Sequence, residues 1–244
     1  MRITFVTTPP NRSGGNQVVA IHARGLAALG HEVRVLAARR PPPSWRRRIG
    51  VALGRARAKP ELAESNFADL GDMVRLAARP GPVRPEEVPD GDAVIATWWQ
   101  TAPMVAALPP AKGAKFYFMQ DYGMGNQPLE DLVPTWRLPL HMITISGWLA
   151  DRVRAHVPGA DPAVVPNAVD TARFDAPPRG RQARPTVGFL HRAIPSKGIE
   201  TALAAIGRLR ARLPGLRVIA FGPAAPPPDP RLEGALDFRG RVPD

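Results

Sequence analysis

The spacing of apolar residues changes twice within the first 37 positions, and this constrains the fold more than any other feature. Ile3 to Thr7 is a β-branched run, closed by Pro9-Pro10 and then by Ser13-Gly14-Gly15. From Gln17 to Leu29 the spacing turns helical, and Val18, Ile21, Leu26 and Leu29 are expected on one face. Gly30 ends the helix, since glycine takes the positive φ of a helix terminus without strain. Glu32 to Ala37 then alternates as a second strand. Strand, glycine turn, helix and strand in this order open a doubly wound parallel sheet.

Further strands are expected at 73–77, 92–97, 115–119 and 141–145, with a helix at 147–156. Residues 166–185, rich in proline and carrying Gly180, read as an interdomain linker. A new unit follows: a strand at Thr186–Leu190, a helix at Lys197–Leu213 with Ile199, Leu203, Ile206 and Leu213 on one face, and a strand at Leu216–Phe221. The expected class is α/β, with a Rossmann-like N-terminal domain over 1–175 and the first part of a second Rossmann-like domain over 176–244. Two or three strands and one helix do not cover both faces of a parallel sheet. The chain is therefore expected to be a piece of a longer protein.

The net charge of +12 favours phosphorylated ligands, an anionic membrane or nucleic acid. No helix-turn-helix, zinc finger or interleaved aromatic–basic stretch supports nucleic acid. With no cysteine, disulfides, zinc–thiolate sites and iron–sulfur clusters are excluded. None of the five histidines has ligand spacing, so no metal or cofactor is expected. His22 is expected to be a packed histidine. No apolar run nears the roughly 20 residues of a membrane span, and Met1–Val6 is too strand-like for a signal peptide. A cytoplasmic protein is expected. Segment 44–58 reads as a basic amphipathic helix capped by Ser44. Trp45, Ile49, Leu53 and Ala56 line one side, with Arg46, Arg47, Arg48, Arg55, Arg57 and Lys59 around it. It either lies peripherally on the inner membrane face or packs its stripe on the domain.

Four segments carry candidate chemistry. Ser13-Gly14-Gly15-Asn16 opens the first helix, where free N–H groups attract an anion; the same residues also serve as a plain tight turn. His191-Arg192-Ala193-Ile194-Pro195-Ser196-Lys197-Gly198 follows the first strand of the second unit. A parallel strand delivers this loop to the ligand crevice, and Arg192 and Lys197 there suit a diphosphate; a solvated basic loop is the alternative. Gln120-Asp121-Tyr122 follows a strand and suits polyol hydrogen bonding, or general acid–base work by Asp121. Trp98-Trp99-Gln100 offers rings for sugar stacking or for packing.

In order and spacing these segments resemble glycosyltransferase family 4, a retaining family with the glycosyltransferase B fold. The resemblance is carried by Gly14-Gly15, Leu29-Gly30-His31-Glu32-Val33, Ile143-Thr144-Ile145-Ser146, Val165-Pro166-Asn167-Ala168-Val169-Asp170 with Phe174, Arg192…Lys197-Gly198, and Ala220-Phe221-Gly222. It implies an acceptor-side N-terminal domain and a nucleotide-sugar domain after it. Arg192, Lys197 and Gly15 would meet the donor diphosphate. Gly14, Asn16, Trp98, Trp99, Gln120 and Tyr122 would lie on the acceptor side, with Asp121 the catalytic candidate. The implied reaction is transfer of a hexose or deoxyhexose from a nucleotide diphosphate sugar to a glycan or lipid-linked acceptor, in polysaccharide or glycolipid synthesis. Residues 98–102 with 118–122 are similar to a subgroup that includes rhamnosyltransferases. Two departures stand out. Gln120-Asp121 replaces the family's frequent His-Asp, and the family's paired glutamates would fall beyond Gly240-Arg241-Val242-Pro243-Asp244. The chain as it stands is then expected to be inactive, and a non-catalytic binding module of the same fold is the alternative reading.

Overall fold

The computed structural model describes residues 1–54, 61–123, 128–172, 174–178, 180, 182–194 and 197–242, without the side chains of Arg47, Arg48 and Gly50. Arg55, Ala56, Arg57, Lys59, Pro195, Ser196, Pro243 and Asp244, each given a part in the sequence reading, lie outside the described residues.

The chain forms two compact units, one reaching to Ala168 and a second starting at Val169. The first is built on a seven-stranded, all-parallel sheet: β1 (Arg2–Thr7), β2 (Glu32–Ala37), β3 (Val74–Leu76), β4 (Ala93–Ala96), β5 (Ala114–Met119), β6 (His141–Thr144) and β7 (Ala163–Val164). Their order is β3-β2-β1-β4-β5-β6-β7. Strand order therefore reverses beside β1, which pairs with β2 through Val6↔Leu36 and with β4 through Val6↔Ala96. Side chains alternate across β1, and both faces are buried. Ile3 and Phe5 join Val33, Val35, Phe67 and Leu70 on one face. Val6 joins Leu36, Val94, Val105 and Trp136 on the other.

Helix α1 (Gly14–Ala28) starts three residues before the expected Gln17, so Gly14, Gly15 and Asn16 form its first turn. Its buried face is also different: Asn16, Val19, Ala20 and Ala23 face the sheet, whereas Ile21 and Leu29 are exposed. Small side chains let the helix axis approach the sheet closely, and the bulkier ones are turned aside. At the other end, His31 N–H bonds the Leu26 carbonyl and Gly30 N–H that of Ala27. With Gly30 at φ +87°, this is a Schellman motif and stops the helix where expected.

Helix α2 (Trp45–Ala52) follows Ser44, whose side chain makes no capping bond. Its stripe does not pack on the domain, for Trp45, Ile49 and Leu53 are 66%, 49% and 59% exposed. Two helices were not expected. α3 (Ala102–Ala106) is a single short turn, and α4 (Leu129–Trp136) contains Pro134. α5 (Gly147–His156) is capped by Ser146, whose Oγ accepts the Leu149 N–H. Among the described residues no helix is long and apolar enough to cross a membrane.

In the second unit β8 (Thr186–Leu190), β9 (Arg217–Phe221) and β10 (Leu236–Phe238) form a parallel sheet in the order β10-β9-β8. Helix α6 (Ile199–Arg212) buries Leu203 and Ile206 with Leu216, Val218 and Leu232; Ile199 packs at the edge. Leu213 lies past the helix end and is exposed. Both units are α/β and Rossmann-like.

Trp136 is fully buried against the second face of the large sheet, and its Nε1 has no hydrogen-bond partner. Its role there is volume. Trp136→Ala should lower the unfolding free energy by about 3–5 kcal/mol in a denaturant titration. Trp136→Phe should cost far less, because no hydrogen bond is lost.

Candidate functional site

The C-terminal ends of the parallel strands carry the loops that reach a ligand in this kind of sheet. After β1, Pro9 and Pro10 lead to the N-terminus of α1. Ser13 Oγ accepts the Asn16 N–H at 3.4 Å. Asn16 is buried: its Oδ1 faces Thr7 Oγ1 at 3.4 Å and its Nδ2 donates to the Pro9 carbonyl at 3.3 Å. Asn16 thus ties the β1 end to the helix start. Gly14 is open, with space for a side chain; a Cβ at Gly15 would come into ordinary van der Waals contact with the Gln120 amide. Gln120 Nε2 donates to the Gly15 carbonyl at 3.4 Å, so the β5 loop and the glycine turn are in direct contact.

Trp98, Trp99, Gln120 and Asp121 line one cleft at the ends of β4 and β5, together with Thr97 and Leu132. Its volume of about 10 Å³ admits one water rather than a sugar ring. Trp98 and Thr101 close a tight turn, with Thr101 Oγ1 accepting the Trp98 N–H and donating to its carbonyl. Trp99 packs on the core and its Nε1 is buried without a partner. Gln100 is exposed. Burial pushes the Tyr117 hydroxyl pKa far up; a hydrogen bond with Thr135 opposes this and the Asp121 charge adds to it.

Tyr122 leaves this cleft. Its ring stacks on Trp136 at 5.7 Å and meets Trp148 edge-on at 5.4 Å, and its hydroxyl lies 2.8 Å from His156 Nε2. Arg152 lies over both Tyr122 and Trp148, at 5.8 and 5.5 Å. The sequence reading missed these partners. Trp148 and Arg152 sit four apart on α5, a spacing that puts them on one face and was available as a signal. His22 packs edge-on against Phe118 at 5.1 Å, and burial lowers its imidazole pKa.

In the second unit His191 is buried, with Nδ1 2.9 Å from the Ala224 carbonyl, and its N–H bonds the Phe221 carbonyl. Gly222 lets this strand end pass close by: its φ is +150°, and a Cβ there would collide with the His191 carbonyl. Arg192 follows directly, half-buried, with its Nε enclosed and without a hydrogen-bond partner among the described residues. Lys197 is exposed beside Gly198, the αL residue that starts α6. The acidic residue of that first turn, Glu200, is held by Arg231 at 3.1 Å, which Asp229 also grips at 2.6 Å. Both carboxylates are occupied by Arg231.

None of the curated proteins matches the chain in sequence. Similar solved structures include a variant of S. aureus TarM in complex with fondaparinux, alpha-GlcNAc-glycerol and UDP (12% identity, TM-score 0.47, covering 62% of this chain and 33% of that one). A further TarM structure has 10% identity, a TM-score of 0.47 and coverage of 62% and 32%. The E. coli heptosyltransferase WaaC with ADP has 14% identity, a TM-score of 0.37 and coverage of 100% and 75%. The chain spans about a third of the length of TarM. The sequence pattern of Glycosyltransferase Family 4 matches residues 12–173, well over half of the sequence, and the chain belongs to that family.

Proposed function

We propose that the protein moves a hexose or deoxyhexose from a nucleotide diphosphate sugar to a hydroxyl acceptor, with retention of anomeric configuration, in glycan or glycolipid synthesis. Family membership is the observation that carries this reading. Residues 1–175 form the acceptor side and 176–244 the donor side. Arg192 and Lys197 neutralise the leaving diphosphate electrostatically, a task that needs no metal. The position of Arg192 supports this role: it lies just past the end of β8 and is half-buried there. Gly15 meets the donor diphosphate with Arg192 and Lys197. On the acceptor side Gly14, Trp98 and Gln120 shape the approach, with Trp99 packed on the core behind them and Tyr122 held in its own aromatic cluster, and Asn16 holds the glycine turn. Asp121 hydrogen-bonds the acceptor hydroxyl or takes its proton.

Titration calorimetry with a panel of nucleoside diphosphates that includes UDP and ADP tests the donor site. Arg192→Ala and Lys197→Ala should each weaken the preferred nucleotide by about 10- to 100-fold, the worth of a charged hydrogen bond, with unchanged melting temperature. Wild-type affinity in both variants contradicts the assignment.

The same reading includes a peripheral contact with the inner membrane from the cytoplasmic side. Exposed Trp45, Ile49 and Leu53 on a helix bearing Arg46 match an anionic lipid surface. Each basic residue near such a surface contributes about 1 kcal/mol. The protein should co-sediment with phosphatidylglycerol vesicles at low salt and be released as salt rises. Changing Trp45, Ile49 and Leu53 together to Ser should abolish binding; no binding by the wild type, or equal binding by the variant, rejects the contact.

A further inference from the structure

A cavity of about 400 Å³ opens within the first unit at the C-terminal ends of β1, β2 and β4. That is the size of a small-molecule site. Its walls are largely apolar, and Pro9, Pro41, Pro82, Val83 and Met104 are among the residues that line it. Two of its hydroxyls already have partners inside the protein. Thr7 Oγ1 is turned to Asn16, and Thr101 Oγ1 to the Trp98 backbone. With Thr8, Gln100 and Arg39 as the remaining polar side chains of the lining, a saccharide, with a hydroxyl on nearly every carbon, would leave most of its hydroxyls unpaired.

Arg39 is different. Its backbone is clamped to Gly81 by two hydrogen bonds of 3.0 and 2.8 Å, which fixes the main chain of this residue at the cavity wall. Its Nε is buried with no hydrogen-bond partner. Glu87 lies within its field, but the two Glu87 oxygens accept from the backbone N–H groups of Ala78 and Arg84. Arg39 lines the cavity and forms no ion pair among the described residues, so its charge is left for an anionic group on a ligand.

We propose that this cavity receives the acceptor, and that the acceptor is a compact, mainly apolar molecule carrying a phosphate or carboxylate that Arg39 holds. The word acceptor rests on the transferase reading; the binding of an anionic apolar ligand does not.

Calorimetry with 1-naphthyl phosphate and its uncharged parent 1-naphthol tests this without any nucleotide sugar. The phosphate should bind the wild type at least tenfold more tightly than naphthol. Arg39→Gln should reduce it to the naphthol level, and Met104→Trp, which fills the cavity, should abolish both. Lys197→Ala should leave binding intact. Equal affinity for the two compounds, no binding of the phosphate, survival of binding in Met104→Trp, or loss in Lys197→Ala overturns the proposal. A protein that transfers sugar yet ignores naphthyl phosphate refutes this inference alone; one that binds it at Arg39 but never transfers sugar refutes only the transferase reading.

Discussion

Parallel pairing of β1 with β2 on one side and β4 on the other determines what the loops of the first unit can do. Parallel strands send all their C-terminal ends to one edge, and the reversal of strand order at β1 opens a crevice there. The Asn16 side chain, the glycine turn, the tryptophan turn after β4 and the Gln120 loop after β5 all gather along that edge. Burial of Ile3 and Phe5 on one face and Val6 on the other keeps the strand from slipping register, since a one-residue shift would reverse every side chain.

Much of this architecture is legible in the residues. The change from β-branched to helical spacing, the glycine at position 30 and the turn after β1 are local signals with local causes, and the strands fell within one or two residues of their expected bounds. The misses have physical reasons. Pro134 masks α4, because a helix-breaking residue near the end of an eight-residue helix is tolerated when Leu132 and Trp136 are buried beside it. The buried face of α1 was misread because hydrophobicity favours Ile21 and Leu29, whereas close packing on a sheet favours Ala20 and Ala23. β7 and β10 have two and three residues, too few for a period.

The candidate site was legible to a lesser degree. Chain order alone brings Gly15 and Gln120 to neighbouring strand ends, and the cationic loop after β8 follows from the same rule. The rule also applied to Arg39, at the end of β2, but the lack of an ion pair for it among the described residues is a tertiary fact. Trp98 and Trp99 turned out to shape a tight turn and fill the core, while Tyr122 joined Trp136, Trp148 and His156 in a separate aromatic cluster. Adjacent aromatics in a sequence do not say which ring meets solvent. The family pattern spans residues 12–173 and so stops short of the Arg192 loop.

Proton NMR of the protein incubated with a panel of nucleotide diphosphate sugars and hydroxyl acceptors reads sugar transfer with retention directly. The account predicts that one donor is consumed, that its nucleoside diphosphate is released, and that the new glycoside keeps the donor's anomeric configuration. Inverted product, or unchanged donors throughout the panel, would contradict it.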